Sequence, residues 1–204
     1  MRSLANNLTI SRIVTIPILV ALFYVPGDAV RWIACVLFSI AGITDYFDGH
    51  FARLSGEVSA FGRFLDPIAD KLLVAAVILM LVAFQSISGL AVLPALIILM
   101  RELLVSGLRE FLAELRVGVP VSRLAKWKTA LQMVALGFLI VGDASPEAIP
   151  ATLIGEIGLW VAAILTLVTG YDYLVTGLRH MNALETATRS QGDGAPARRA
   201  EPLG

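Results

Sequence analysis

The sequence predicts an all-α integral membrane protein with six transmembrane helices, and three observations predict it. Hydrophobic residues make up 57% of the 204 positions and charged residues only 16%, against about 45–50% and about 25% in a soluble globular domain. The apolar residues gather into six runs close to the roughly 20 residues that a spanning helix needs. If those runs alternate across a bilayer, fifteen of the sixteen lysines and arginines fall on one side, the asymmetry that marks a cytoplasmic face.

The elements follow in order along the chain. Residues 3–8 suit a short N-terminal interfacial helix leading into the first span, 8–25, which carries Pro17. Met1-Arg2-Ser3-Leu4 does not read as a cleavable signal, since no small-residue cleavage site closes the first apolar run and more runs follow. Spans two (29–53), three (60–85) and four (88–113) are long, and their charged residues crowd at one end. That pattern suits helices that project beyond the hydrocarbon or enclose a polar cavity. Pro94 falls inside span four and, like Pro17, is a tolerable kink in a bundle. Spans five (125–142) and six (152–179) complete a six-helix transmembrane unit over 1–185. The segment 186–204, with Gln191-Gly192-Asp193-Gly194-Ala195-Pro196, reads as a disordered cytoplasmic tail. Arg31 alone falls opposite the other cations, beside Asp28, Asp143, Glu147 and Glu156. The termini and the loops 54–59 and 114–124 are therefore expected in the cytoplasm. Zero net charge gives no bulk electrostatic case for nucleic acid. The one cysteine, Cys35, excludes a disulfide framework and a cysteine-based metal site.

One stretch breaks the apolar pattern. Asp45 and Asp48 are i and i+3, and Asp66 and Asp70 are i and i+4, so each pair shares a helix face. A short loop joins spans two and three, which predicts antiparallel neighbours with both pairs at similar depth. Ionisable residues in spans are costly and mark function. Four facing carboxylates repel at low dielectric, and hard divalent cations with oxygen preference neutralise them. Mg²⁺ or Mn²⁺ fits better than Zn²⁺, because no Cys or second His stands near. Two such ions is the common arrangement for displacement at phosphorus. Gly49 and Ala52 beside the first pair, and Gly62 four residues before Asp66, leave room for close approach. Arg53 returns to the face of Asp45 and can fork onto phosphate oxygens. Together they suit a metal-bound diphosphate between two helices. An ion-coupling site in a small cation transporter is the reading from another class, but neither broken midplane helices nor internal repeats are visible.

The pattern Asp45-x2-Asp48-Gly49-x2-Ala52-Arg53-x8-Gly62-x3-Asp66-x3-Asp70 resembles the signature of the CDP-alcohol phosphotransferase family at all eight positions. The resemblance extends to Asn7-Leu8-Thr9-Ile10-Ser11-Arg12, Arg101-Glu102, Gly107-Leu108-Arg109-Glu110 and Lys126-Trp127-Lys128-Thr129, while Asn6 departs from the proline usual before the asparagine. It implies a homodimer in the bacterial inner (cell) membrane with a cytoplasm-facing polar cavity. It implies that Asp45, Asp48, Asp66 and Asp70 bind two Mg²⁺ or Mn²⁺ ions, that Asp70 is also the general base, and that Gly49, Ala52, Arg53 and Gly62 line the CDP pocket. Its branch implies CDP-diacylglycerol as donor and sn-glycerol 3-phosphate as acceptor; inositol phosphate, serine or phosphatidylglycerol serve other branches of the family. A dianionic acceptor calls for a cationic site. Arg109 and Lys128 are the first candidates, Arg101 follows, and Lys126 and Arg12 could add contacts.

Overall fold

The structure, a computed structural model, describes the backbone of residues 4–55, 60–114 and 123–193. Side chains are described within 11–44, 68–114 and 126–179, with Leu65 and Leu124 besides. Among these residues the chain is helical without strands. Six helices run α1 Leu4–Phe23, α2 Asp28–Ser55, α3 Ala60–Ala83, α4 Val92–Glu114, α5 Arg123–Val141 and α6 Ala151–Asp193, with 3₁₀ turns at Gly89–Ala91 and Gly142–Ala144.

Several boundaries differ from expectation for physical reasons. The lead-in is no separate helix: residues from Leu4 run straight into α1 and past Pro17. Pro94 sits in the first turn of α4, after the 3₁₀ turn. There its missing N–H is one that no intrahelical partner would take. α6 has 43 residues, about 64 Å at 1.5 Å each, and passes through the expected boundary at 186. Ala183-Leu184-Glu185-Thr186-Ala187 contains no helix breaker, and the first glycine after Arg179 is Gly192. Residues 194–204 lie outside the described residues. α3 ends where Gln85 takes φ 60°, and Ile87 N–H closes back onto Leu81 O at 3.0 Å.

The packing order is also not the chain order. α1 lies against both α2 and α3, α2 against α5, α5 against α6, and α6 against α4. The expected meeting of the end of α2 with the start of α3 falls on side chains outside the described residues, while α1 buries Leu19 and Phe23 against its neighbours. The core joins these to Phe38, Leu73, Leu81, Ile98, Leu136 and Leu159. α5 and α6 approach closely through small residues. A Cβ at Gly158 would stand 2.9 Å from Ala135 Cβ, and one at Gly155 would stand 2.6 Å from Leu139 Cγ and 3.0 Å from Ala135 O. Small residues at helix contacts are what close packing inside a membrane requires. Large apolar side chains also cover the outside, among them Ile18, Val36, Leu79, Leu103, Val134 and Ile164. Two described segments, Gly89–Glu114 and Ala151–Arg179, are long and apolar enough to cross a membrane.

Candidate functional site

The chain's antiparallel course brings the C-terminal ends of α2, α4 and α6 to the same end of the bundle as the starts of α3 and α5. Asp45 and Asp48, with Gly49, Ala52 and Arg53, fall on the last turns of α2; Gly62, Asp66 and Asp70 fall on the first turns of α3. The side chains of Asp45, Asp48, Ala52, Arg53 and Asp66 lie outside the described residues, and so do the surroundings of Gly49 and Gly62. Asp70 is described and half-buried. Among the described residues no three acidic, histidine or cysteine side chains converge; of the four aspartates only Asp70 is among them. As a donor set, four carboxylates on two helix ends supply only hard oxygens, which fits Mg²⁺ or Mn²⁺.

Beside this end, α4, α5 and α6 build a cationic cluster. Arg101 and Arg109 are eight residues apart on α4, and Lys128 lies near the start of α5. The stem of Arg101 rests on Gly170 of α6, where a Cβ would stand 3.0 Å from Arg101 Cγ and 3.2 Å from Nε. Arg101 Nη2 donates to Thr169 Oγ1 at 3.0 Å, and Nη1 donates to Glu102 Oε1 at 3.3 Å. Lys128 Nζ donates to the same Glu102 oxygen. Arg109 Nη2 donates to the Tyr173 hydroxyl at 3.2 Å. The Tyr173 ring carries both guanidiniums, with Arg101 Cζ 5.9 Å and Arg109 Cζ 5.5 Å from its centroid. Such cation–π contacts fix a planar group as well as attract it.

Burial makes the cluster consequential. Lys128 is 3% exposed and Tyr173 5%, while Arg109 reaches the surface. Two cations, Arg101 and Lys128, share one oxygen of Glu102, with Asp70 of α3 in electrostatic reach of Lys128 and Arg109 bonded to the Tyr173 hydroxyl instead. Buried charge short of partners is costly, so the excess positive charge suits an anionic ligand. Arg101 Nε, Gln132 Oε1 and Thr166 Oγ1 are buried with no hydrogen-bond partner among the described residues, which extends a polar lining one turn below Lys128.

The other acceptor candidates stand apart. Arg12 is buried between α1 and α2, lining a small cavity of about 60 Å³ with Ser11, Thr15, Ala41 and Thr44. It is on the side of the aspartate helices, since α1 packs on α2 and α3 and not on the cation cluster. Lys126 is exposed on α5. A larger cavity, about 490 Å³, opens at the opposite end of the bundle among Phe23, Tyr24, Asp28, Arg31, Gln85, Asp143 and Glu156. It contains none of the expected site residues, and chemistry outweighs size in locating the site.

Glu102, Thr169, Gly170 and Tyr173 were not expected as site residues. The signal was present: Thr166, Thr169, Gly170 and Tyr173 are i, i+3, i+4 and i+7, a small and polar face within an apolar run.

A model of the CDP-alcohol phosphatidyltransferase family matches residues 2–168 of the chain. A Rickettsia typhi protein named CDP-diacylglycerol–glycerol-3-phosphate 3-phosphatidyltransferase is 51% identical over 173 residues, covering 85% of this chain and 96% of that protein. A Rickettsia bellii protein of the same name is 52% identical over 171 residues, covering 84% and 93%. Another of that name, from Haemophilus influenzae, is 41% identical over 169 residues, covering 82% and 89%.

Proposed function

This chain belongs to the CDP-alcohol phosphatidyltransferase family, and from that premise we propose that it transfers the phosphatidyl group of CDP-diacylglycerol to the 1-hydroxyl of sn-glycerol 3-phosphate, releasing CMP. The names of its relatives support the acceptor. The observation that carries it is the cluster of Arg101, Arg109 and Lys128 beside Asp70. Glycerol 3-phosphate has its phosphate at one end and the reacting hydroxyl at the other. A cationic cluster with a carboxylate in electrostatic reach suits both ends at once.

In this mechanism Asp45, Asp48, Asp66 and Asp70 would hold two Mg²⁺ or Mn²⁺ ions, which would supply positive charge against the donor's diphosphate and the departing CMP. Gly49, Ala52 and Gly62 leave the helix surfaces open to the cytidine diphosphate, and Arg53 forks onto its oxygens. Arg101 and Arg109 hold the acceptor phosphate. Asp70 takes the proton from the acceptor hydroxyl, whose oxygen attacks the phosphorus bound to diacylglycerol. The phosphoanhydride P–O bond breaks, and CMP leaves with the electron pair. The motif has no Ser or Cys to serve as a covalent nucleophile, so displacement is direct.

We further take the six helices as six spans of the bacterial cell membrane, the motif end and both termini as cytoplasmic, and the protein as a homodimer. The apolar outer surface supports the bilayer, because exposed apolar patches of this extent are not left to water. The cation asymmetry supports the orientation, and the family resemblance supports the dimer. The test is CMP release by purified protein in detergent from CDP-diacylglycerol with Mn²⁺ or Mg²⁺. Glycerol 3-phosphate, inositol phosphate, serine and phosphatidylglycerol are supplied in parallel. Release only with glycerol 3-phosphate, abolished by EDTA, is expected; release with another acceptor instead would overturn the assignment of the cluster.

A further inference from the structure

Glu102 stands where α4, α5 and α6 meet, and no step of the proposed transfer uses it. One oxygen of its carboxylate accepts from Lys128 on α5 and from Arg101 beside it on α4. Arg101 continues the chain of bonds to Thr169 on α6. Lysine is a point charge on a flexible four-carbon stem, with no preferred direction of its own. Buried to 3% exposure, it needs a fixed counter-charge. Two carboxylates face it: Glu102, which bonds it, and Asp70 on α3, which acts on it electrostatically. The nearby Arg101 repels it, and Glu102 is the carboxylate that bonds it. The Lys128 ammonium is therefore bonded to Glu102 within the cluster and lies in electrostatic reach of Asp70, the proposed proton acceptor.

We propose that Glu102 is a positioning residue that acts through Lys128, holding the ammonium where it aligns the acceptor between Arg101 and Asp70. The role rests on the transfer proposed above. An ammonium has three N–H donors; once Glu102 takes one, the directions open to the other two are set. Without the carboxylate, the stem is free to follow Asp70 toward the donor side, and the acceptor loses a fixed contact while the donor site keeps its residues. A carboxylate that merely balanced buried charge would affect folding and both substrates alike.

The experiment uses the full chain in detergent as wild type, Glu102→Gln, Glu102→Asp, Lys128→Met and the double variant Glu102→Gln/Lys128→Met. CMP release is followed against each substrate with the other saturating, and each variant's thermal midpoint is recorded. Glu102→Gln is expected to raise KM for glycerol 3-phosphate about tenfold and to leave KM for CDP-diacylglycerol within about twofold, a split that separates acceptor binding from general damage. The Asp variant should recover part of the loss. The double variant should be no worse than Lys128→Met alone, as for two residues acting as a unit. Equal rises in both KM values, unchanged kinetics, or losses that multiply in the double variant would overturn the role. If the Gln variant does not fold, the Asp variant carries the same cycle under the same criteria. A wild type that releases no CMP with glycerol 3-phosphate overturns the transfer itself; an active wild type with non-conforming variants overturns only the part given to Glu102.

Discussion

Tyr173 lies between two guanidiniums, and its ring and hydroxyl do different work there. The ring supports Arg101 and Arg109 from one buried position, and the hydroxyl accepts from Arg109 alone. Arg109 is the exposed member of the cluster, so in the proposed site it would be the first to meet an incoming phosphate. Hydrogen bonds to charged groups are worth about 1.5–3 kcal/mol. Arg109→Gln should therefore raise KM for glycerol 3-phosphate by roughly 10- to 100-fold at about 1.4 kcal/mol per tenfold, with the thermal midpoint unchanged. Tyr173→Phe keeps the ring and removes one bond worth about 0.5–1.5 kcal/mol, so its KM rises only several-fold in the same assay. Asp70→Asn keeps the shape of the side chain and removes the proposed base. Its turnover should fall to near background while the protein still inserts; single-turnover CMP release close to wild type would remove Asp70 from the proton transfer.

Between elements, glycines set how near the helices stand, and two of them separate packing from function. A Cβ at Gly155 would meet Leu139 and also the Ala135 backbone oxygen at 3.0 Å; a backbone atom cannot rotate away. Gly155→Val should cost about 1–3 kcal/mol by overpacking, seen as a lower thermal midpoint in detergent with little change in KM of the protein that remains folded. A Cβ at Gly170 meets only the Arg101 side chain, at 3.0–3.7 Å, and that chain can swing. Gly170→Ala should then leave the midpoint nearly unchanged while moving the guanidinium off Thr169, raising KM for the acceptor. The two variants would exchange signatures if Gly170 were a packing residue and Arg101 a bystander. The face Thr166, Thr169, Gly170, Tyr173 shows how much of this was legible locally. Its period identifies a special side of α6, but not that Arg101 of α4 lies on it, since that contact spans 68 residues of chain.

For the whole molecule, the proposed topology makes a direct prediction. In a Cys35→Ser background, cysteines at Ser88 and Lys126 should react with an impermeant maleimide from opposite sides of sealed vesicles; labelling from one side would break the six-span arrangement. Stripping divalent ions with EDTA should abolish CMP release, and either Mg²⁺ or Mn²⁺ should restore it. Activity that persists without divalent ions would separate the aspartates from metal binding.

The all-α class, the positions of the six helices, to within a few residues except at the C-terminal end of α6, and membership of the family were determined by the sequence alone. Each depends on residues close along the chain: apolar runs, or carboxylates three and four apart on one helix. Their periodicity is set by the geometry of the helix itself. Which helices pack together was decided only by the tertiary structure. The loop lengths do not say that α1 packs on both α2 and α3, because burying an apolar helix does not depend on the length of the loop that follows. The cation cluster was decided at the same level. Arg101, Arg109 and Lys128 were readable as cations near one membrane face. That Glu102 bonds two of them, that Tyr173 supports two, and that Lys128 lies in electrostatic reach of Asp70 all depend on where three helices converge with α3, and no periodicity within a single helix encodes that convergence.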